Sequence, residues 1–390
     1  MTDKSPKFHE NTNFNCEKFL DSSILNESVD LYNDNNYKEA FKTLLCFVSP
    51  EMQNKFESGQ TQWEMPHGSS VIRFEIKDDG FRISAFVSTL SDETLLVPLK
   101  RNLCEINFSK LDLANVAIID GEVVFYYDFL WAGSHPRKVY GILWDICRFA
   151  DMFDDEFVEK FKTVHASTPQ IQITPDSEKA IIYDKIQKEI RSTKAYFEKF
   201  QSDRNEILKY YSAIIGIMKI EYFASLQGYY KTAFEDIISY TVAGTSDTLA
   251  QIASNCMAFL NELECQENKE KIYECIYGVK LLVPERSFTT LSIVRDSWEQ
   301  SYENICRAFD GNDYAYVTFS TIQSFYRLIS CYNVQKDIYD VIIDALRSVS
   351  DKSYKESAVI LKDAMTAILN DDIKSPSKGK KGFFKKLFNI

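Results

Sequence analysis

Glycine is scarce in this sequence, 13 of 390 residues, against about 7% in an average protein. That shortage argues against a glycine-rich nucleotide-binding core and for much helix. No G-x-x-x-x-G-K-[ST], G-x-G-x-x-G or G-x-S-x-G pattern occurs, so the usual phosphate cradles and the nucleophile elbow are missing. Histidine is rarer still: His9, His67, His135 and His165, all expected in loops or at element ends and none at metal-ligand spacing. Nine cysteines are scattered and never form C-x-x-C, which speaks against a disulfide framework or a structural zinc site. Long apolar runs are also lacking. The best one, around Tyr210–Met218, is cut by Lys219 and Glu221 and falls short of a membrane span. Met1–Asn15 holds no signal-peptide core, so the sequence predicts a cytoplasmic protein with reduced thiols.

What is present is ordinary in amount and uneven in placement. Hydrophobic residues make up 45% and charged residues 26%, enough to build cores and to exclude wholesale disorder. The charge of 45 minus 57, or −12, sets most of the surface against nucleic acid. The 54 aromatic residues (22 Tyr, 28 Phe and 4 Trp) are not interleaved with a basic patch outside the C-terminal end, so they predict core and interface anchors.

Hydrophobic periodicity divides the chain. A polar tail (1–20) precedes a helical hairpin (21–57) with helices at Ile24–Tyr32 and Tyr37–Val48. Near residue 61 the period changes to two. Ile72, Phe74 and Ile76 alternate with charged residues, Asp78-Asp79-Gly80 turns the chain, and Ile83, Ala85 and Val87 alternate again. Helical spacing returns over Leu99–Phe108. A second hairpin follows around Asp120-Gly121, and Ser134 and Pro136 mark the start of a helix striped by Val139, Ile142, Leu143, Ile146 and Phe149. This order predicts an α+β domain (58–168) with an antiparallel sheet. Pro169 and Pro175 mark a linker (169–178), and 179–370 reads as an all-α domain of six to eight helices. Ala180–Phe200, Glu206–Leu226, Leu249–Glu262, Thr290–Phe309, Asp313–Cys331 and Tyr354–Leu369 are the clearest of them.

Three segments resemble known families. "SVDLYNDNNYKEAFKTLLCFVSP" resembles one tetratricopeptide unit, with Ala40 for close helix approach and Pro50 after the second helix. The stretch "LCEINFSKLDLANVAIIDGEVVFYYDFLWAGSHPRKVYGILWDICRFADMFDDEF" resembles the YbjN-type, type III secretion chaperone-like domains of bacteria. It shares a helix ending in Asn107, a strand–Asp-Gly–strand hairpin, the Tyr127-Asp128 pair and a closing helix with Ala150-Asp151. That resemblance spans roughly 58–165. It implies an α/β sandwich that often dimerises and binds other polypeptides, and it carries no catalytic residue and no cofactor. The last segment, "KSPSKGKKGFFKKLFNI", is similar to the membrane-targeting helix of the division-site ATPase MinD.

That tail (371–390) has six lysines from Lys374 onward; without them the chain carries 39 minus 57, or −18. On a helical wheel Phe383, Phe384, Leu387 and Phe388 share an arc while Lys385 and Lys386 point away. With Lys380 and Lys381 these form the candidate docking residues, toward an anionic membrane surface or a partner groove. Elsewhere the bland readings prevail. Asp151, Asp154, Asp155 and Glu156 read as solvated helix-end carboxylates in preference to a Mg²⁺ site. His135 reads as part of a helix start, and Cys147 and Cys306 as core residues. The sequence therefore predicts a non-enzymatic bacterial adaptor that binds a polypeptide, homodimerises, binds no nucleic acid and is recruited peripherally to the inner membrane. An enzyme with a carboxylate site in or near the helical domain, and a scaffold subunit of a larger assembly, are the alternatives.

Overall fold

A computed structural model of the chain describes residues 4–11, 19–168, 171–242 and 247–373. The architecture is α+β combined with a helical bundle. The described chain forms two compact units. An α/β unit takes residues 19–168 and 171–173 together with Gly278–Glu285, and a helical unit takes 4–11, 174–277 and 286–373.

The α/β unit opens with α1 (Ser22–Asn33), α2 (Tyr37–Val48) and α3 (Pro50–Glu57). Asp21 caps α1 by accepting from the Ser23 N–H at 2.9 Å. Ala40 is buried between α1 and α2, and its carbonyl accepts the Ser28 hydroxyl at 2.6 Å. Pro50 does not follow the hairpin as a terminator. It starts α3, where its fixed φ and missing N–H suit the first turn. Phe41 packs against Phe81 at a tilt, with ring centroids 4.1 Å apart, so the hairpin is part of the same core as the sheet.

The sheet comprises β1 (Gln62–His67), β2 (Ser70–Ile76), β3 (Gly80–Thr89), β4 (Asn115–Ile119) and β5 (Glu122–Leu130), with α4 (Leu96–Ser109) between β3 and β4. The strand order is β1-β2-β3-β5-β4, antiparallel throughout. Strand β1 is an addition to the two hairpins expected from the sequence. Ile72, Phe74, Ile83, Ala85 and Phe125 face the core. Arg73–Glu64 and Arg82–Asp128 ion pairs lie on the other face, as period-two alternation requires. Asp120 and Gly121 have φ of 51° and 83°, the left-handed pair that a tight primed hairpin turn needs. At Gly80 a Cβ would lie 1.7 Å from the Phe129 carbonyl oxygen, so only glycine lets β5 approach.

Helix α5 (Pro136–Phe161) packs beneath the sheet with Phe149, Phe153, Phe157 and Phe161 in an i, i+4 aromatic row. Ser134 does not cap it. Its hydroxyl donates to the Trp131 carbonyl at 2.6 Å and His135 occupies the cap position. Two short strands follow, β6 (Val164–His165), which pairs with β3, and β7 (Ile171–Ile173). The expected linker thus holds a strand, and the division between units falls at 173/174 inside it.

The helical unit contains α6 (Asp176–Ser202), α7 (Glu206–Ala224), α8 (Gly228–Val242), α9 (Leu249–Glu264) and α10 (Lys269–Glu274). After β8 (Tyr277–Val279) and β9 (Ser287–Phe288) come α11 (Leu291–Asp310), α12 (Tyr314–Cys331), β10 (Tyr332–Asn333), α13 (Lys336–Val349) and α14 (Tyr354–Leu369). Strand β10 pairs with β9 in parallel. The apolar run near Tyr210 becomes α7, the central helix, buried from Ser212 to Ala224 apart from Glu221. Thr248–Gln251 and Ser353–Glu356 capping boxes start α9 and α14. No helix among the described residues is long and apolar enough to cross a membrane.

Two sequence expectations change here. Residues 4–11 are not a free polar tail but pack on the helical unit. Gly278–Glu285 leaves the helical stretch to join the α/β unit, because its backbone hydrogen-bonds the β1–β2 turn: the Gly68 N–H donates to the Lys280 carbonyl at 2.8 Å.

Candidate functional site

The most distinctive site of the helical unit is a groove filled by the chain's own residues 4–11. That segment makes no helix and touches the groove mainly through polar groups. Lys4 forms an antiparallel bridge with Ser353. The Ser5 N–H donates to the Lys352 carbonyl at 2.8 Å, and its hydroxyl donates to the Val349 carbonyl. Ser5 is fully buried and Pro6 is buried beside it. The Tyr196 hydroxyl donates to the Lys4 carbonyl at 2.8 Å, and the Phe8 N–H donates to the Ser350 hydroxyl at 3.0 Å. The Phe8 ring packs near Tyr222 and under the Arg347 guanidinium. Arg347 also holds both Glu10 carboxylate oxygens, at 2.7 and 3.1 Å.

The groove floor carries a charge pair that helix packing creates. A Cβ at Gly216 of α7 would lie 2.4 Å from the Thr193 hydroxyl of α6, so glycine is what lets the two helices pack closely there. One turn away, Lys219 Nζ lies 2.6 Å from Glu189 Oε1, with side chains only 2% and 4% exposed. The remaining oxygen, Glu189 Oε2, receives His9 Nε2 of the segment at 3.3 Å, and the His9 ring lies on Phe223. Burial alone would raise the Glu189 pKa. The Lys219 charge and the His9 hydrogen bond overturn this and hold it below the usual carboxylate value. The neighbouring Tyr326 hydroxyl is pushed well above 10, chiefly by burial and then by the Glu189 charge.

The acidic group at the end of α5 behaves differently from expectation. Asp154 is buried, not solvated. The Ser69 hydroxyl bonds both Asp154 and Asp151, and the Ser69 N–H donates to Asp151 at 2.7 Å. Burial pushes the Asp154 carboxyl up to about 7 against the opposing Ser69 hydrogen bond. Gly68, with φ of 58°, brings the turn so close that a Cβ would lie 1.8 Å from Asp151 Oδ1. His67 accepts the Leu282 N–H at 3.1 Å, and Trp144 donates to the Pro284 carbonyl at 2.9 Å. These bonds clasp the β1–β2 turn, α5 and residues 278–285 together. Asp155 stays exposed, 3.4 Å from His165.

The other residues singled out by the sequence are placed as follows. Asn107 grips edge strand β4, accepting from the Val116 N–H at 2.9 Å and donating to its carbonyl at 2.8 Å. Asp128 pairs with Arg82 and Lys77, which lower its pKa. Cys147 is buried, whereas Cys306 is only half-buried and so not a full core residue. Lys380, Lys381, Phe383, Phe384, Lys385, Lys386, Leu387 and Phe388 lie outside the described residues. No group of three or more His, Cys, Asp or Glu side chains among the described residues is arranged to hold a metal ion.

Sequence reasoning missed Glu189, Lys219 and the segment that covers them. The signal was Lys219 itself, a lysine inside the apolar run Ile214–Ile220, since a buried lysine needs a partner. No protein-family model matches the chain, and no curated protein matches it.

Proposed function

We propose that the chain is a non-enzymatic adaptor that binds a polypeptide and reaches an anionic membrane surface through its basic tail. The observation that carries this reading is the groove of the helical unit, which holds a segment of chain through backbone and buried polar contacts. Such contacts read an extended polypeptide in the way that β-addition does, with main-chain bonds for affinity and pockets for selected side chains. The resemblance of 58–165 to secretion chaperone-like domains supports the same class, as does the lack of catalytic motifs. Both Asp154 oxygens are engaged within the clasp, by Ser69 and by the Asp155 N–H at 2.7 Å, which favours a structural role for this carboxyl over the enzyme alternative. For the tail, each lysine near an anionic surface contributes about 1 kcal/mol, and the phenylalanines add partial apolar insertion. One tail therefore binds reversibly, and two on a homodimer bind more tightly by avidity.

A photo-crosslinking residue at the exposed position Lys352, beside the groove, tests the adaptor reading in host cells. The expected product is a discrete intermolecular adduct whose partner is identified by mass spectrometry. Intramolecular adducts alone, both in the intact chain and in a chain whose N-terminal segment has been released by cleavage, would contradict it.

A further inference from the structure

The groove already shows what kind of ligand it takes, because its present occupant is covalently part of the chain. Four receptors line it. The Val349 and Lys352 carbonyls accept from a small hydroxyl residue that is fully enclosed, Ser5. Tyr222 and Arg347 frame an aromatic ring three positions on, Phe8. Glu189 Oε2, in a carboxylate 4% exposed, takes a nitrogen donor from the next residue, His9. Arg347 takes an acid from the one after, Glu10. Pro6, buried behind Ser5, pre-sets the chain against helix.

The occupant is not part of the core that holds the helical unit together. The buried hydrophobic cluster of that unit runs from Ile182 to Ile368; the segment adds only the partly buried Phe8 to its apolar packing, with the His9 ring on Phe223 and Ser5 and Pro6 enclosed at its edge. The segment's contacts are chiefly hydrogen bonds, each of which water can replace at a net cost of about 1 kcal/mol. The exception is Glu189 Oε2. Lys219 and Thr193 both engage Oε1, so removal of His9 leaves a buried anionic oxygen in want of a donor. An empty groove therefore favours being refilled by a chain of the same chemistry.

We infer that Ser5–Glu10 is an autoinhibitory occupant, and that the groove's external ligand is an extended polypeptide segment carrying hydroxyl–Pro–x–aromatic–nitrogen base–acid. The inference rests on the adaptor reading and adds the ligand class and its control. A tether gives the built-in segment an effective concentration of about millimolar, so an external segment of equal intrinsic affinity is masked until the tether is cut or outcompeted.

The test uses the full chain with a site-specific protease sequence inserted between Asn13 and Phe14, after the groove-bound segment 4–11 in the sequence. The folded protein is cut, and a fluorescein-labelled peptide of residues 1–13 is titrated by anisotropy. Saturable binding to the cut protein at micromolar peptide, at least tenfold weaker on the uncut protein, is expected. A peptide with His9→Ala should bind at least tenfold more weakly to the same cut protein, which avoids any folding defect in the protein itself. Equal binding to cut and uncut protein, or no exchange into cut protein that retains its circular dichroism, would overturn the inference. The second outcome leaves the crosslinking test of the adaptor reading standing. Exchange without any crosslinked partner would remove the adaptor reading and keep the groove chemistry.

Discussion

Lys219→Met is the most informative single substitution in the helical unit. It keeps the volume and apolar stem of the side chain and removes the charge 2.6 Å from Glu189. Removing one member of a buried pair costs about 3–5 kcal/mol, because the other is left uncompensated. For a unit of this size each kcal/mol moves Tm by about 2–4 °C, so a fall of about 6–20 °C is expected by calorimetry. The pH dependence gives a second readout. In the wild type the Glu189 pKa is lowered, so its contribution is present above the ordinary carboxylate pKa of 4.5 and is lost as pH falls through the folded value. Without Lys219, burial dominates and the pKa rises above 4.5. The variant then recovers stability relative to wild type as pH drops, since protonation removes the buried charge. Adding Glu189→Leu should restore most of the loss at neutral pH, because exchanging a whole buried pair for apolar groups is near neutral. A loss under about 1 kcal/mol for Lys219→Met, or no rescue in the double variant, would refute the reasoning.

Three further outcomes follow from other residues. Asp154, raised to about 7, favours folding when protonated, so wild-type stability should rise as pH falls from 8 toward the ordinary carboxyl value of 3.8. Asp154→Asn should flatten that slope in urea titrations at pH 5 and pH 8, and an unchanged slope would count against the buried clasp. Asn107→Leu removes two hydrogen bonds to Val116 and should cost about 1–2 kcal/mol while speeding amide exchange at Val116. Full-length protein should sediment with anionic liposomes in low salt and release in high salt. Phe384→Asp or deletion of 382–390 should abolish sedimentation without moving Tm, and equal sedimentation of the deleted protein would point to protein docking instead.

Much of the architecture was legible because periodicity reports which face is buried. The switch from period two at Ile72–Val87 to 3.6 beyond 179 separated the sheet from the bundle, and Tyr354–Leu369 was bounded as observed. What escaped depended on partners distant in sequence. Strand β1 has weak alternation, with Pro66 near its end, and is recruited by its ladder with β2. Helices α8 and α13 do carry stripes, Tyr230–Phe234–Ile238 and Ile338–Ile342–Leu346, yet they were not among the six segments named. Asp154 looked solvated because nothing local shows that Ser69, 85 residues away, closes over it. The groove was invisible for the same reason: Ser5 meets Val349 across 344 residues, and the polar sequence 1–20 gives no hint of burial.

The central claim is that the groove opens and refills while the helical unit stays folded. Native-state hydrogen exchange of the full chain tests it most directly, at the Ser5 and Phe8 amides bonded to Lys352 and Ser350. The account predicts that both exchange through a local opening, at a free energy several kcal/mol below that of the α7 amides around Ile215–Lys219. Exchange of Ser5 and Phe8 only with global unfolding, at the same free energy as α7, would contradict it.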